Sequence, residues 1–192
     1  MKPVDKVKIR LNTYSIVLCA LFSALIVAGA FIKIPLYTVP ITLQAQFVLL
    51  AGLMLGSKRG ALSVIIYIII GLAGVPVFAR GGGVGYILQP TFGYILGFIF
   101  GAYITGIIVE KADNKTTKVY FLASFAGLMV IYIIGVAYFW LISVLYLNKQ
   151  IGGWFLLVNC FLITLPGDII FSSAGAVLAK RLKPLTVKYS NL

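Results

Sequence analysis

Residues 119–147 read VYFLASFAGLMVIYIIGVAYFWLISVLYL, a stretch without one charged side chain. A helix needs about 20 apolar residues to cross the ~30 Å hydrocarbon core of a bilayer, and this run exceeds that length. The helix it predicts is therefore tilted, kinked or extended beyond the lipid. Gly127 and Gly135 lie inside the run. They do not divide it, since two full spans would need about 40 residues.

Working outward, Lys111 to Lys118 forms a polar break before this run and Gly152-Gly153 a turn after it. Beyond these breaks the same reading repeats. Six spans are expected at about 13–32, 41–55, 60–78, 91–109, 119–147 and 152–179, joined at Pro35 and Pro40, Gly56-Ser57, Gly81-Gly82-Gly83 and the two breaks just named. The second span is short and the last two are long. The expected fold is an all-α integral membrane bundle of six helices, with residues 1–192 as a single membrane domain.

Composition agrees with the pattern. The chain is 61% hydrophobic and 10% charged, with a mean hydropathy of +1.09. That excludes a water-soluble domain, which is about half apolar and a quarter charged. The net charge of +12 would suggest nucleic acid in a soluble protein, but no polar domain exists here to carry a basic binding face. Instead the basic residues sit in short runs between spans. With six spans, Lys2, Lys6, Lys8, Arg10, Lys58, Arg59, Lys111, Lys115, Lys118, Lys180, Arg181, Lys183 and Lys188 fall on one side, and Lys33, Arg80 and Lys149 on the other. The positive-inside rule then places both termini in the cytoplasm of a multi-pass protein of a bacterial cell membrane. The first apolar run lacks an evident cleavage site and is expected to remain as the first helix. Cys19 and Cys160 lie within apolar segments, where thiols act as small packing groups, so no disulfide framework is expected.

Several chemistries are missing from the sequence. There is no histidine for imidazole catalysis or zinc-protease motifs, and no G-x-x-x-x-G-K-[ST] to cradle nucleotide phosphates. Asp168 stands alone as a carboxylate deep in a span, whereas Asp5, Glu110 and Asp113 belong to the basic side, so a two-carboxylate hydrolase is not expected. No catalytic residue, metal or cofactor is assigned. Neither an enzyme nor a self-contained ATP-driven pump is therefore expected.

Asp168 is the most informative position. A carboxylate inside the membrane is unfavourable by a few kcal/mol or more and is usually paired or functional. Pro166 and Gly167 precede it and are expected to loosen the sixth helix there. Thr164, Asp168 and Ser172 recur every four residues and so share one helical face, read as turned into the bundle. A structural aspartate satisfied by hydroxyls is the alternative. Thr42 and Gln44 open the second helix at its external end and Asn159 lies in the outer part of the sixth. All three suit a neutral polar ligand, or equally interhelical bonding. Ala79 to Tyr86 carries a glycine run that can form a lid, with Arg80 as a cation for a carboxylate or as an exposed, snorkelling side chain. Ala20, Ala24 and Ala28 line one face of the first helix, suited to internal packing or to docking another membrane protein.

Five segments together resemble the BioY family, the biotin-capturing S components of energy-coupling factor (ECF) transporters. They are Val39-Pro40-Ile41-Thr42-Leu43-Gln44, Leu49 to Gly60, Gly71 to Phe78, Pro90-Thr91 with Gly93-Tyr94-Ile95-Leu96-Gly97-Phe98, and Pro166-Gly167-Asp168. The similarity spans roughly residues 14–183. It implies a six-helix subunit that binds its vitamin on the extracellular side and works with a transmembrane scaffold and two cytoplasmic ATPases. It also implies toppling of the subunit in the bilayer, and docking to the scaffold through Ala20, Ala24 and Ala28. The substrate contacts expected on this basis are Asp168, Arg80, Gln44, Thr42, Tyr94, Asn159 and Thr164, with Asp168 reading the ureido ring and Arg80 the acid.

The sequence departs from the family at Phe171, where a lysine is usual, and at Gln89 and Phe92, where glycines flank Pro-Thr. Loss of that lysine is expected to remove a cation beside Asp168. A more apolar pocket would suit lipoate, which is the alternative substrate. An autonomous channel or secondary transporter is a weaker alternative, because no internal repeat or paired broken helices are found. A purely structural assembly subunit, which would bind no small molecule, is a further one. The S component is expected to be monomeric.

Overall fold

The computed structural model describes residues 12–34 and 39–190, with only the backbone of 183–190. Lys2, Asp5, Lys6, Lys8, Arg10 and Pro35 lie outside the described residues, as do the side chains of Lys183 and Lys188. Helix α1 (Thr13–Phe31) leads to a two-stranded antiparallel ribbon, β1 (Lys33–Ile34) with β2 (Ile41–Thr42), in which Lys33 pairs with Thr42. Helices α2 (Gln44–Leu55), α3 (Ser57–Leu72), α4 (Phe92–Lys111) and α5 (Thr117–Leu145) follow, with a 3₁₀ turn (Val84–Leu88) before α4. The chain ends with a short α6 (Gly153–Leu157), a π turn (Val158–Leu162) and α7 (Leu165–Ser190).

Among the described residues, four helical segments are long and apolar enough to cross a membrane: Thr13–Phe31, Phe92–Lys111, Thr117–Leu145 and the composite Gly153–Leu182. The structure corrects the expected boundaries of the other two. The span expected at 41–55 is a helix only from Gln44, because Ile41 and Thr42 pair with β1. The span expected at 60–78 is the helix Ser57–Leu72, and residues 73–78 form a turn and irregular chain. At 12 and 16 residues, α2 and α3 are about 18 and 24 Å long, less than the hydrocarbon thickness.

These two helices meet through Gly56 alone, whose φ of +86° favours a residue without a Cβ. They then run close together. A Cβ on Gly60 would sit 2.9 Å from the Cα of Gly52, so a glycine is needed there, while Gly52 leaves room for α4, whose Ala102 carbonyl a Cβ would strike. Glu110, near the end of α4, holds this corner: its Oε1 accepts from the Ser57 N–H at 2.8 Å and its Oε2 from the Ser57 hydroxyl at 2.7 Å. A carboxylate satisfies the first turn of α3 in this way, where backbone donors lack helical partners.

Contacts fix the two ends of the bundle. Ser57 meets Glu110, and Lys180 Nζ donates to Thr117 Oγ1 at 3.0 Å, so Lys58, Arg59, Lys111, Lys115, Lys118, Lys180 and Arg181 gather at one end. At the other end Lys33 Nζ donates to the carbonyl of Ala79, and the Tyr138 hydroxyl donates to the carbonyl of Ile87 at 2.7 Å.

The last span differs most from expectation. Its helix is interrupted before Pro166 rather than by it. Pro166 occupies the first turn of α7, where a missing N–H costs nothing, while the widened turn at Val158–Leu162 carries the break. The Tyr94 hydroxyl donates to the carbonyl of Cys160 at 2.8 Å, satisfying a backbone group within the irregular turn. Asp168 N–H closes the new helix on the carbonyl of Thr164 at 3.2 Å.

Candidate functional site

Thr164, in the turn before α7, and Asp168 and Ser172 within it are all buried, in agreement with their four-residue spacing. Asp168 is 8% exposed and receives one hydrogen bond on each oxygen. Gln46 Nε2 donates to Oδ1 at 3.0 Å, and the Tyr132 hydroxyl donates to Oδ2 at 2.5 Å. The Ser172 hydroxyl donates to Gln46 Oε1 at 3.0 Å, fixing which end of that amide faces the carboxylate. Tyr132 and Thr164 hydroxyls lie 2.6 Å apart. The Thr164 hydroxyl also donates to the carbonyl of Phe161 at 3.2 Å, which ties this pair to the irregular turn before α7. Each carboxylate oxygen keeps a lone pair for another donor.

This network forms part of the wall of a cavity of about 630 Å³, its open mouth included. Asp168, Thr164, Gln44, Thr42 and Tyr94 line it together with Tyr132, Tyr86 and Thr91. Ile95, Phe98, Leu128 and Ile131 supply apolar surface from α4 and α5. A mostly apolar cavity with a few convergent polar groups is the usual form of a small-molecule site.

The supporting contacts explain how the wall is held. Gln44 Nε2 donates to the Tyr67 hydroxyl, and Gln44 Oε1 accepts from the Thr42 hydroxyl at 3.3 Å, so the residue that opens α2 is tied to α3 and to the ribbon. Tyr94 and Tyr132 meet edge to face with centroids 6.2 Å apart, and Phe161 meets Tyr132 similarly at 4.9 Å. Gly135 leaves room for the Tyr94 ring, which a Cβ there would approach to 2.5 Å.

Two expected contacts stand elsewhere. Arg80 lines an adjoining outer recess with Lys149 and Gln150, and Thr91 belongs to the walls of both spaces. Arg80 also lies beside Tyr86, whose phenol is pushed above its ordinary value by burial, opposed by a backbone hydrogen bond from Arg80 and by that residue's charge. Asn159 is not among the cavity-lining residues; its Nδ2 donates to the carbonyl of Phe155 at 3.1 Å within its own helix. The glycine run before the 3₁₀ turn has positive φ at Gly81 and Gly83, as expected for a segment that needs glycine.

Phe171 is 46% exposed and lies with Ile170 on the outer face of α7. Sequence reasoning missed Gln46 and Tyr132. Gln46 had a signal, being a second amide in an apolar helix two residues after Gln44. Tyr132 had none, as one aromatic among many in α5. On α1, Ala20, Ala24 and Ala28 are all exposed.

The BioY family model matches residues 4–188. A protein of Lysinibacillus sphaericus named "Probable biotin transporter BioY" is 42% identical over 171 residues, which cover 89% of this chain and 87% of that protein. The biotin transporter BioY of Thermotoga maritima is 42% identical over 170 residues, covering 88% of this chain and 95% of its own length. Among solved structures, the S-component for biotin from an ECF-type ABC transporter superposes with a TM-score of 0.68 at 26% identity, over 90% of this chain and 92% of that one.

Proposed function

The chain belongs to the BioY family, and on that premise we propose that it is the S component of an ECF-type transporter and captures biotin in the cavity beside Asp168. The observation that carries the site assignment is the buried carboxylate held on both oxygens by the neutral groups Gln46 and Tyr132, with lone pairs left over in the cavity wall. Biotin matches this surface in three parts. Its ureido ring has two N–H donors for Asp168. Its thioether ring and aliphatic tail suit the wall of Ile95, Phe98, Leu128 and Ile131. Its carboxylate, extended past Thr91, meets the recess that holds Arg80 and Lys149.

Gln44, Thr42, Tyr94 and Thr164 shape the cavity in this reading. Asn159 has a structural role instead, bonding within its helix. The chain, 1–192, forms one membrane domain of six passes, with short α2 and α3 completing the four long spans and both termini in the cytoplasm. A scaffold subunit docks on the exposed Ala20, Ala24 and Ala28 face, and two ATPases on that scaffold supply the energy that this chain does not. The relatives named above are biotin transporters, which ranks lipoate second.

Calorimetry with the detergent-purified chain tests the reading. Biotin is expected to bind tightly, lipoate more weakly, and Asp168→Ala and Arg80→Ala each to weaken biotin. Tighter binding of lipoate would reassign the substrate. Binding of neither acid to well-folded protein would overturn the capture function, and unchanged binding by Asp168→Ala would remove the carboxylate from the site.

A further inference from the structure

At the basic end of the bundle, α5 and α7 diverge around a groove of about 710 Å³, its open side included. Phe121, Leu122, Ala176 and Val177 line it. Ala176, 1% exposed, forms the floor, while Leu122 and Val177 stand open at its rim. The Ser173 hydroxyl in the same wall donates to the carbonyl of Ile169 at 2.7 Å, so it offers its proton to its own helix rather than to the groove. The slot is thus apolar along its length.

Its head is different. Lys118 is one of the lining residues, and one turn beyond Ala176 and Val177 the Lys180 ammonium reaches across to Thr117 Oγ1 at 3.0 Å. That bond holds Lys180 over the end of the slot. An ammonium has three N–H donors, and Thr117 takes one. Arg181 follows directly in sequence. An apolar slot that ends under cations at a membrane surface has the chemistry of a lipid site: chain below, anionic head above.

We propose that this groove holds one anionic phospholipid, with an acyl chain in the slot between α5 and α7 and the headgroup phosphate on Lys118 and Lys180. The charge pattern selects the occupant. A zwitterionic lipid fills the slot equally well but offers the two lysines a headgroup of no net charge. Each lysine near a membrane surface favours an anionic lipid by about fivefold, so the pair gives about twenty-fivefold.

Native mass spectrometry of the full chain, titrated with phosphatidylglycerol and phosphatidylcholine of matched acyl chains, tests the site. One phosphatidylglycerol is expected to bind at about twenty-fivefold lower concentration than phosphatidylcholine. Lys118→Gln/Lys180→Gln is expected to abolish that preference, and Lys115→Gln, on the loop away from the groove, to retain it. Lys118→Gln alone leaves the Lys180–Thr117 bond in place and serves if the double variant unfolds; it should reduce the preference about fivefold. Val177→Trp should obstruct the slot and release the lipid with the charges intact. Equal binding of the two lipids to the wild type, preference unchanged in both lysine variants, or displacement of the lipid by soluble glycerol phosphate at similar concentration would each overturn the proposal.

Discussion

Asp168 is connected to residues that its own helix could not have revealed: Gln46 is 122 positions away and Tyr132 is 36. The periodic face of Thr164, Asp168 and Ser172 was legible, because helical geometry turns a four-residue repeat into one side of a cylinder. Which groups oppose that face depends on how α2 and α5 pack, and no local pattern encodes it. Two predictions belong here. Asp168→Asn keeps the shape but loses the charge, and is expected to weaken biotin binding about tenfold or more by calorimetry, since hydrogen bonds to a charged group contribute about 1.5–3 kcal/mol. Tyr132→Phe retains the ring against Tyr94 and Phe161 and removes only the hydroxyl that joins Thr164 to Asp168. Its expected effect is several-fold weaker binding with a fold that still melts cooperatively, corresponding to about 1 kcal/mol. Binding at wild-type strength in this variant would mean that the hydroxyl does not orient the carboxylate for ligand.

At the scale of elements, the spans announced themselves by apolar length, while their internal breaks did not. Pro166 suggested where the sixth span is irregular, but the π turn lies before it, since the first turn of a helix accepts proline without loss. Likewise, hydropathy extended the third span to residue 78, although α3 ends at Leu72 and the following apolar residues Val77 and Phe78 pack into the core without helix. The corner between α2 and α3 gives a test of element packing. Glu110→Ala leaves the Ser57 N–H and hydroxyl without their carboxylate partner and is expected to lower stability by about 1 kcal/mol, seen as a lower melting temperature in detergent. Gly135→Val should behave differently. Its side chain drives into the Tyr94 ring that lines the cavity, so biotin binding is expected to fall by more than stability does.

For the whole molecule, orientation and dependence on partners are the properties to test. Cys19 and Cys160 are both buried, so a single added surface thiol can be read against them. With an impermeant maleimide on intact cells, Lys149→Cys is expected to react from outside and Lys115→Cys only after the membrane is opened. The reverse pattern would invert the proposed topology. Reconstituted alone in liposomes, the chain is expected to bind biotin without accumulating it, and ATP-dependent uptake should require the scaffold and ATPases.

The sequence by itself determined that this is a membrane protein, roughly where it crosses, and which end is basic, because these follow from counts and periods along one chain. It also pointed to Asp168, because a carboxylate in hydrocarbon is too unfavourable to be incidental. Tertiary structure alone decided that Gln46 and Tyr132 hold that carboxylate, that Arg80 opens into an adjoining recess, and that Phe171 faces outward. Those facts depend on how helices rotate and approach one another, and that is set by close packing at Gly52, Gly60 and Gly135 against specific neighbours rather than by hydropathy.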